Sequence, residues 1–391
     1  MHGTFQIFKI YLRLGCLSFG GPAAHMAYFR DEFVDRRAWL TDARYAELLG
    51  LCQFIPGPSS SQLGFAIGWQ RGGISGACAA WLGFTLPSAL IMMGFAYGLY
   101  ALGSEIDAFV QGLLIAAVAV VAKATLSMGK KLCPDWPHLA LAAFSTAVVL
   151  FVPGAWIQIL VIGIGVIAGQ WLGRTDQAAM TGEIPRPRRT KHSPLSLALI
   201  LYGLLLALSL WAPANSAGQL YALHYKAGAL VFGGGHVVLP LLNESVVAGE
   251  LVSEKDFLAG YSAAQALPGP LFTLSAFLGT TAGVTQPAAL GGLLALIAIF
   301  LPGMLLLIGI LPYWERLRRM PKAQAGLSGA NAAVVGLLLA AFIDPVWTNG
   351  IGSAFDLLLA GAAFLLLYKF KAPAWATVLG CGLIGHLYQL L

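Results

Sequence analysis

The sequence predicts an all-α integral membrane protein, with about 13 membrane elements arranged as two repeats of opposite topology. Three observations carry that prediction. Of 391 residues, 58% are hydrophobic and only 10% charged, against about 25% charged in a soluble domain, so too little polar surface exists to face water. Two long apolar segments are interrupted by Pro56-Gly57-Pro58 and Pro268-Gly269-Pro270, where the missing proline N–H and the proline ring stop an α-helix. The same landmarks also recur in the same order in the two halves of the chain.

The first membrane element runs from about Phe5 to Gly21 and ends in Ser18-Phe19-Gly20-Gly21-Pro22, a helix stop. It contains Lys9 and Arg13 and lacks a clean apolar core with a small-residue cleavage site, so no removable signal peptide is expected. A polar, amphipathic stretch from His25 to Glu47 follows, holding Arg30, Asp31, Glu32, Asp35, Arg36, Arg37, Trp39 and Arg44. The segment from Leu48 to Gly68 carries the first break. Spans follow at Ile74–Leu99, Phe109–Ser127, Leu139–Val152 and Trp156–Leu172, with Pro153-Gly154 as a tight hairpin.

Arg174 to Lys191 has five basic residues and two prolines, a composition that disfavours a packed element and suits a cytoplasmic surface. It divides the chain into a first repeat (1–173), a basic linker (174–194) and a second repeat (195–391) that begins with an extra span at 195–212. Apolar elements then lie at Leu220–Leu242, Phe257–Thr281, Ala288–Leu311, Ala325–Phe342, Ala354–Tyr368 and Ala374–Leu390.

The duplication rests on four landmark pairs separated by about 211 to 215 residues. Phe19-Gly20-Gly21 matches Phe232-Gly233-Gly234. Gln53 with its Pro-Gly-Pro matches Gln265 with its own. Gly68 and Gly72 match Gly279 and Gly283, and Leu86-Pro87 matches Leu301-Pro302. Basic residues gather at Lys130-Lys131, the linker, Arg316–Arg319 and Lys369–Lys371, which places those loops inside. The loops with Glu105 and Asp107, and with Asp344, lack basic residues and fall outside. The halves are therefore inverted, an arrangement found in secondary transporters, which bind substrate at broken helices. The basic His25–Glu47 stretch and the acidic Asn243–Asp256 stretch favour re-entrant hairpins, with full crossings as the alternative.

Irregular backbone at membrane depth persists where it is buried in protein or lines a wet cavity. After the first break, Ser59-Ser60-Ser61-Gln62 opens the next half-helix, and unpaired N–H groups with nearby hydroxyls suit an anion. After the second, Leu271-Phe272-Thr273-Leu274-Ser275 offers fewer hydroxyls, so the two sites are expected to be unequal. A Pro-Gly-Pro that merely kinks a helix is the bland alternative.

Gly20, Gly21, Gly233 and Gly234 allow close backbone approach and an anion-binding nest, or simply close helix packing. His25 and His236 follow these glycines as candidates for a proton-linked role. Arg30, Arg36, Arg37 and Arg44 offer forked donors to a divalent oxyanion, or form a solvated, lipid-facing helix. Arg71 is a vestibule candidate. Carboxylates are nearly absent from the apolar runs, which argues against a cation carrier. The five scattered cysteines support neither disulfides nor a metal site, and no nucleotide-binding or hydrolase motif occurs. No catalytic residue, metal or cofactor is expected.

Together these residues resemble the chromate ion transporter family in its fused, two-domain form. The likeness is carried by Ser18–Pro22 with His25, Trp39-Leu40, Gln53–Pro58 and Leu86-Pro87, and by Phe232–His236, Gln265–Pro270 and Leu301-Pro302. The resemblance implies chromate efflux across the inner membrane, driven by the proton gradient or the membrane potential, in a multi-pass protein without enzymatic activity. Gly235 stands where the first half has Pro22, a departure that bears on whether the halves bind substrate equivalently. The expected partners are chromate or its isostere sulfate and the lipid bilayer. The positive balance is concentrated in a few loops, so no nucleic acid is expected, and a homodimer is left open. A sulfate or other oxyanion permease is the runner-up, and a membrane-embedded enzyme or scaffold the alternative from another class.

Overall fold

The computed structural model describes residues 3–102, 107–152, 155–172, 194–214, 216–232, 237–314 and 320–389, and contains no strand among them. The linker, Glu105, Pro153-Gly154, Gly233 to His236 and Arg316 to Arg319 lie outside the described residues.

Short arms come first. Helix α1 (Thr4–Leu17) starts with Thr4 beside Ser75 and runs to Ser18. Gly20 and Gly21 then adopt positive φ (102° and 74°), and α2 (Gly21–Arg30) turns back. A wide π-type turn (Asp31–Arg36) leads to α3 (Asp42–Phe54), capped by the Thr41 hydroxyl, which accepts from the Arg44 N–H. After the first break comes α4 (Ser59–Leu102), which is not one rod. At Gly72 (φ −142°) and Gly73 (φ 63°) it leaves helical geometry, and its two arms pack face to face. A Cβ on Gly68 would sit 2.5 Å from the Gly76 carbonyl and 2.7 Å from the Ala80 Cβ.

The first arm of α4 also returns to where α3 began. Arg71 lies over the Trp39 ring, and the Gln70 amide, turned with its oxygen toward Arg44, accepts from Nε and Nη2 at 2.9 and 2.8 Å. The polar stretch expected over His25–Glu47 therefore divides into a return arm, a turn and the start of a second inward arm. Each short arm of 13 or 14 residues covers about 20 Å, less than a hydrocarbon core of about 30 Å.

The second arm of α4 crosses to the opposite end, where the Tyr97 hydroxyl accepts from the Ala289 N–H. There α5 (Asp107–Leu132) starts, and Asp107 pairs with Lys255 at 2.6 Å. Helices α6 (Trp136–Phe151) and α7 (Ala155–Leu172) follow, then α8 (Pro194–Leu208), which is the extra span. The second half repeats the plan. Its arms are α9 (Ala217–Leu230), α10 (Val238–Leu242), α11 (Glu254–Ala266) and α12 (Leu274–Thr281); the longer helices are α13 (Ala288–Ile310), α14 (Pro321–Ala341), α15 (Ala354–Tyr368) and α16 (Ala374–Gln389). Gly279 packs on the Gly291 carbonyl and Ala295 Cβ as Gly68 does on Gly76 and Ala80. Among the described residues, four helical segments are long and apolar enough to cross a membrane, α4 counted whole among them, and seven shorter apolar helices accompany them.

The halves are interlocked. Helix α5 packs on α15 and α16, and α14 packs on α6 and α7, so each half's central helix sits against the other half's last pair. Small residues permit this: Gly112 meets the Cys381 carbonyl, and Gly165 and Gly169 meet Gly329.

Candidate functional site

Both breaks are reached by following an arm to its inner end, and each break engages the opposite half. The Gly57 N–H donates to the Val231 carbonyl at 2.7 Å, and the Gly269 N–H donates to the Ser18 carbonyl at 3.0 Å. Val231 and Ser18 occupy equivalent places in the repeats, each one residue before a Phe-Gly-Gly. The exchange is reciprocal, as in a two-fold interface. Gly57 and Gly269 hold φ of 126° and 96°, a region open to glycine at no steric cost.

A second reciprocal pair walls the breaks. A Cβ on Gly57 would lie 2.9 Å from the Gly303 Cα, and one on Gly269 would lie 2.8 Å from the Ser88 hydroxyl and 3.3 Å from the Phe84 carbonyl. Gly303 and Ser88 each follow the Leu-Pro landmark of their own half. Gln62 ties the first wall together, its Nε2 donating to the carbonyls of Pro56 (2.9 Å) and Gly303 (3.0 Å).

His25, fully buried, links the two breaks. A carbonyl only accepts, so the 3.1 Å contact with the Ser18 oxygen assigns the proton to Nε2, leaving Nδ1 to accept from the Ser60 hydroxyl at 3.3 Å. The Ser18 carbonyl thus receives both the Gly269 N–H and the His25 ring. The Phe84 ring packs edge-on against the imidazole at 5.1 Å.

Several buried side-chain oxygens on residues flanking the breaks have no hydrogen-bond partner. They are Ser61 Oγ and Gln62 Oε1 after the first break, Ser18 Oγ and Thr85 Oγ1 beside the second, and Ser275 Oγ beyond it. Leaving a buried hydroxyl unpaired costs about 1–3 kcal/mol, which a polar ligand would offset. The helix geometry also leaves the N–H groups of Ser59, Ser60 and Ser61 without intrahelical acceptors.

The second break differs. Leu271–Thr273 forms a 3-10 turn, α12 begins only at Leu274, and the Thr273 hydroxyl donates to the Pro270 carbonyl at 2.8 Å. The half-helix start expected around Leu271 is displaced by that turn, and Thr273 already has a partner. Gln53 lies on an exposed position with Nε2 3.7 Å from the Met26 sulfur, while Gln265 hydrogen-bonds Tyr261. Gly20 and Gly21 form the α1–α2 tip beside Ser18; Gly233, Gly234 and His236 fall outside the described residues.

The arginines of the polar stretch are ion-paired. Arg30 binds Asp35 at 2.9 Å and Asp42 at 2.6 Å, and the two carboxylates, Asp42 foremost, push its guanidinium above the usual value. Arg36 meets Asp31 and Glu32, Arg37 meets Glu32, and Arg44 meets Glu47. Arg30 is thus held at the outer end of α2, away from the breaks.

Sequence reasoning passed over Thr85, Ser88 and Gly303 as site residues and took Ser18 only as the start of the Phe-Gly-Gly motif. The signal for all three was the Leu-Pro landmark repeated in both halves. An open cavity among Asp107, Gln111, Lys255, Asp356 and Tyr388 lies at the end of the molecule where α5 starts, away from both breaks. Among the described residues no His, Cys, Asp or Glu cluster suits a metal.

The family model described as chromate transporter matches residues 5–170 and again 218–386. A chromate transport protein of Pseudomonas aeruginosa is 27% identical across 98% of this chain and 92% of its own length. One from Cupriavidus metallidurans is 29% identical across 99% and 94%, and an uncharacterised transporter of Methanocaldococcus jannaschii is 29% identical across 98% and 94%. No solved structure matches the chain. With its family model covering the sequence twice, this multi-pass membrane protein belongs to the chromate transporter family.

Proposed function

We propose that the chain is an inner-membrane secondary transporter that exports chromate, binding the divalent oxyanion where the two breaks meet. The observation that carries this reading is the reciprocal bonding of the breaks, Gly57 to Val231 and Gly269 to Ser18, beside buried hydroxyls that lack partners. Short paired arms that open toward opposite ends of the second arm of α4 support two inverted, re-entrant repeats around one central site. The first break supplies the main donors, the Ser61 hydroxyl and the first-turn N–H groups of α4, because Thr273 in the second is already bonded to Pro270. Neutral donors at a helix N-terminus hold an anion while letting it go again.

Export needs no nucleotide. An anion leaving a negative interior moves downhill by about 2.3 kcal/mol per charge at 100 mV, or about 4.6 kcal/mol for a dianion. A proton gradient is the alternative drive. Membership of a transporter family supports transport over catalysis. Sulfate has the same charge and shape, so it is the competitor to measure.

Uptake of chromate by inverted membrane vesicles, with the potential imposed or collapsed and with sulfate as competitor, tests the reaction. Potential-dependent uptake is expected; no flux of either anion overturns the reading. Ser61→Ala removes one hydrogen bond to a charged ligand, about 1.5 kcal/mol, and should raise KM about tenfold. An unchanged KM removes Ser61 from the site.

A further inference from the structure

We propose that Arg71, laid against the Trp39 ring, is an entry site that captures the divalent oxyanion before it reaches the breaks. The inference rests on the oxyanion reading above and adds a second, outer anion site to it.

The arginines of the polar stretch already have partners. Arg30, Arg36, Arg37 and Arg44 all lie within ion-pair distance of carboxylates. Arg71, half-buried at the end of the first arm of α4, has no carboxylate within that distance among the described residues, and its buried Nε has no hydrogen-bond partner. Its guanidinium carbon stands 4.7 Å from the Trp39 ring centroid, and that of Arg37 stands 5.9 Å from the same ring. Stacking on an aromatic face orients the guanidinium plane and leaves its N–H edge to bind elsewhere. That edge matches two oxygens of a tetrahedral dianion in a forked pair.

Position fits the role. Arg71 and Ser59 are the two ends of one 13-residue arm, about 20 Å apart. The C-terminal end of a helix repels anions, and Arg71 cancels that repulsion where the anion would enter. A purely structural cation at a helix end accounts for the charge, but not for the unpartnered buried Nε.

The test uses the full-length protein in inverted vesicles, measuring initial chromate uptake against concentration at low and high ionic strength. Arg71→Gln should raise KM about fivefold to tenfold, with at most about a twofold fall in maximum rate, and should abolish most of the salt dependence of KM. Arg71→Lys keeps the charge but loses the fork, so it should retain the salt dependence with an intermediate KM. Arg71→Gln with the KM and salt response of the unaltered chain overturns the proposal. So does a variant whose only defect is less folded protein and a lower maximum rate. If the unaltered chain carries neither chromate nor sulfate, the transport reading itself fails; if it does and only KM is insensitive to Arg71, the entry site alone fails.

Discussion

At Gly57 two constraints coincide: a φ of 126° and a Gly303 Cα that any Cβ would approach to 2.9 Å. Gly73 has a φ of 63° but open space around the Cβ position. Gly57→Ala should therefore cost about 1–3 kcal/mol in backbone strain and also push the breaks apart, abolishing transport. Gly73→Ala should cost about 1 kcal/mol and leave flux measurable. Thermal unfolding in detergent together with vesicle uptake separates the two; equal effects would mean that the contact with Gly303 is unimportant. Pro-Gly-Pro was legible as a break because proline acts on its own helix turn. That Gly57 would touch Gly303, or that Ser60 would bond His25, was not legible, since those neighbours come from other segments. The same limit applies to Arg30 and Arg71, alike as sequence candidates and opposite in surroundings.

Among the elements, the hairpin arms of α4 depend on the face-to-face approach of Gly68 and Gly76. Gly68→Val places a branched side chain where a single Cβ already lies 2.5 Å from the Gly76 carbonyl. Overpacking of this kind costs about 1–3 kcal/mol or more, so the variant should lose most of its monodisperse protein on size exclusion in detergent. Gly94, with nothing near its Cβ position, is the control, and Gly94→Val should behave as the unaltered chain does. Should Gly68→Val match that control, the arms do not pack as described. Apolar length located these helices well from the sequence, but not their direction of return. His25–Glu47 looked like one polar stretch because charges dominate the composition, yet Gly20 and Gly21 turn the chain and make its first part a return arm.

For the whole molecule, the decisive fact is that α5 and α14 each pack on the last helices of the opposite half. Expressed alone, 1–173 and 195–391 should each aggregate, because each exposes the face its partner covers. Co-expressed, they should co-purify and restore chromate uptake. A half that is monodisperse by itself would contradict the interlock. The membrane class follows from overall composition, the duplication from landmarks that recur in order, and the two breaks from proline chemistry that acts over a few neighbouring residues. Reciprocal bonding of the breaks, the unequal freedom of Ser61 and Thr273, and the pairing of every arginine in the polar stretch were set by packing. Each depends on groups distant in the chain or on the exact path of the backbone, and no local pattern encodes them.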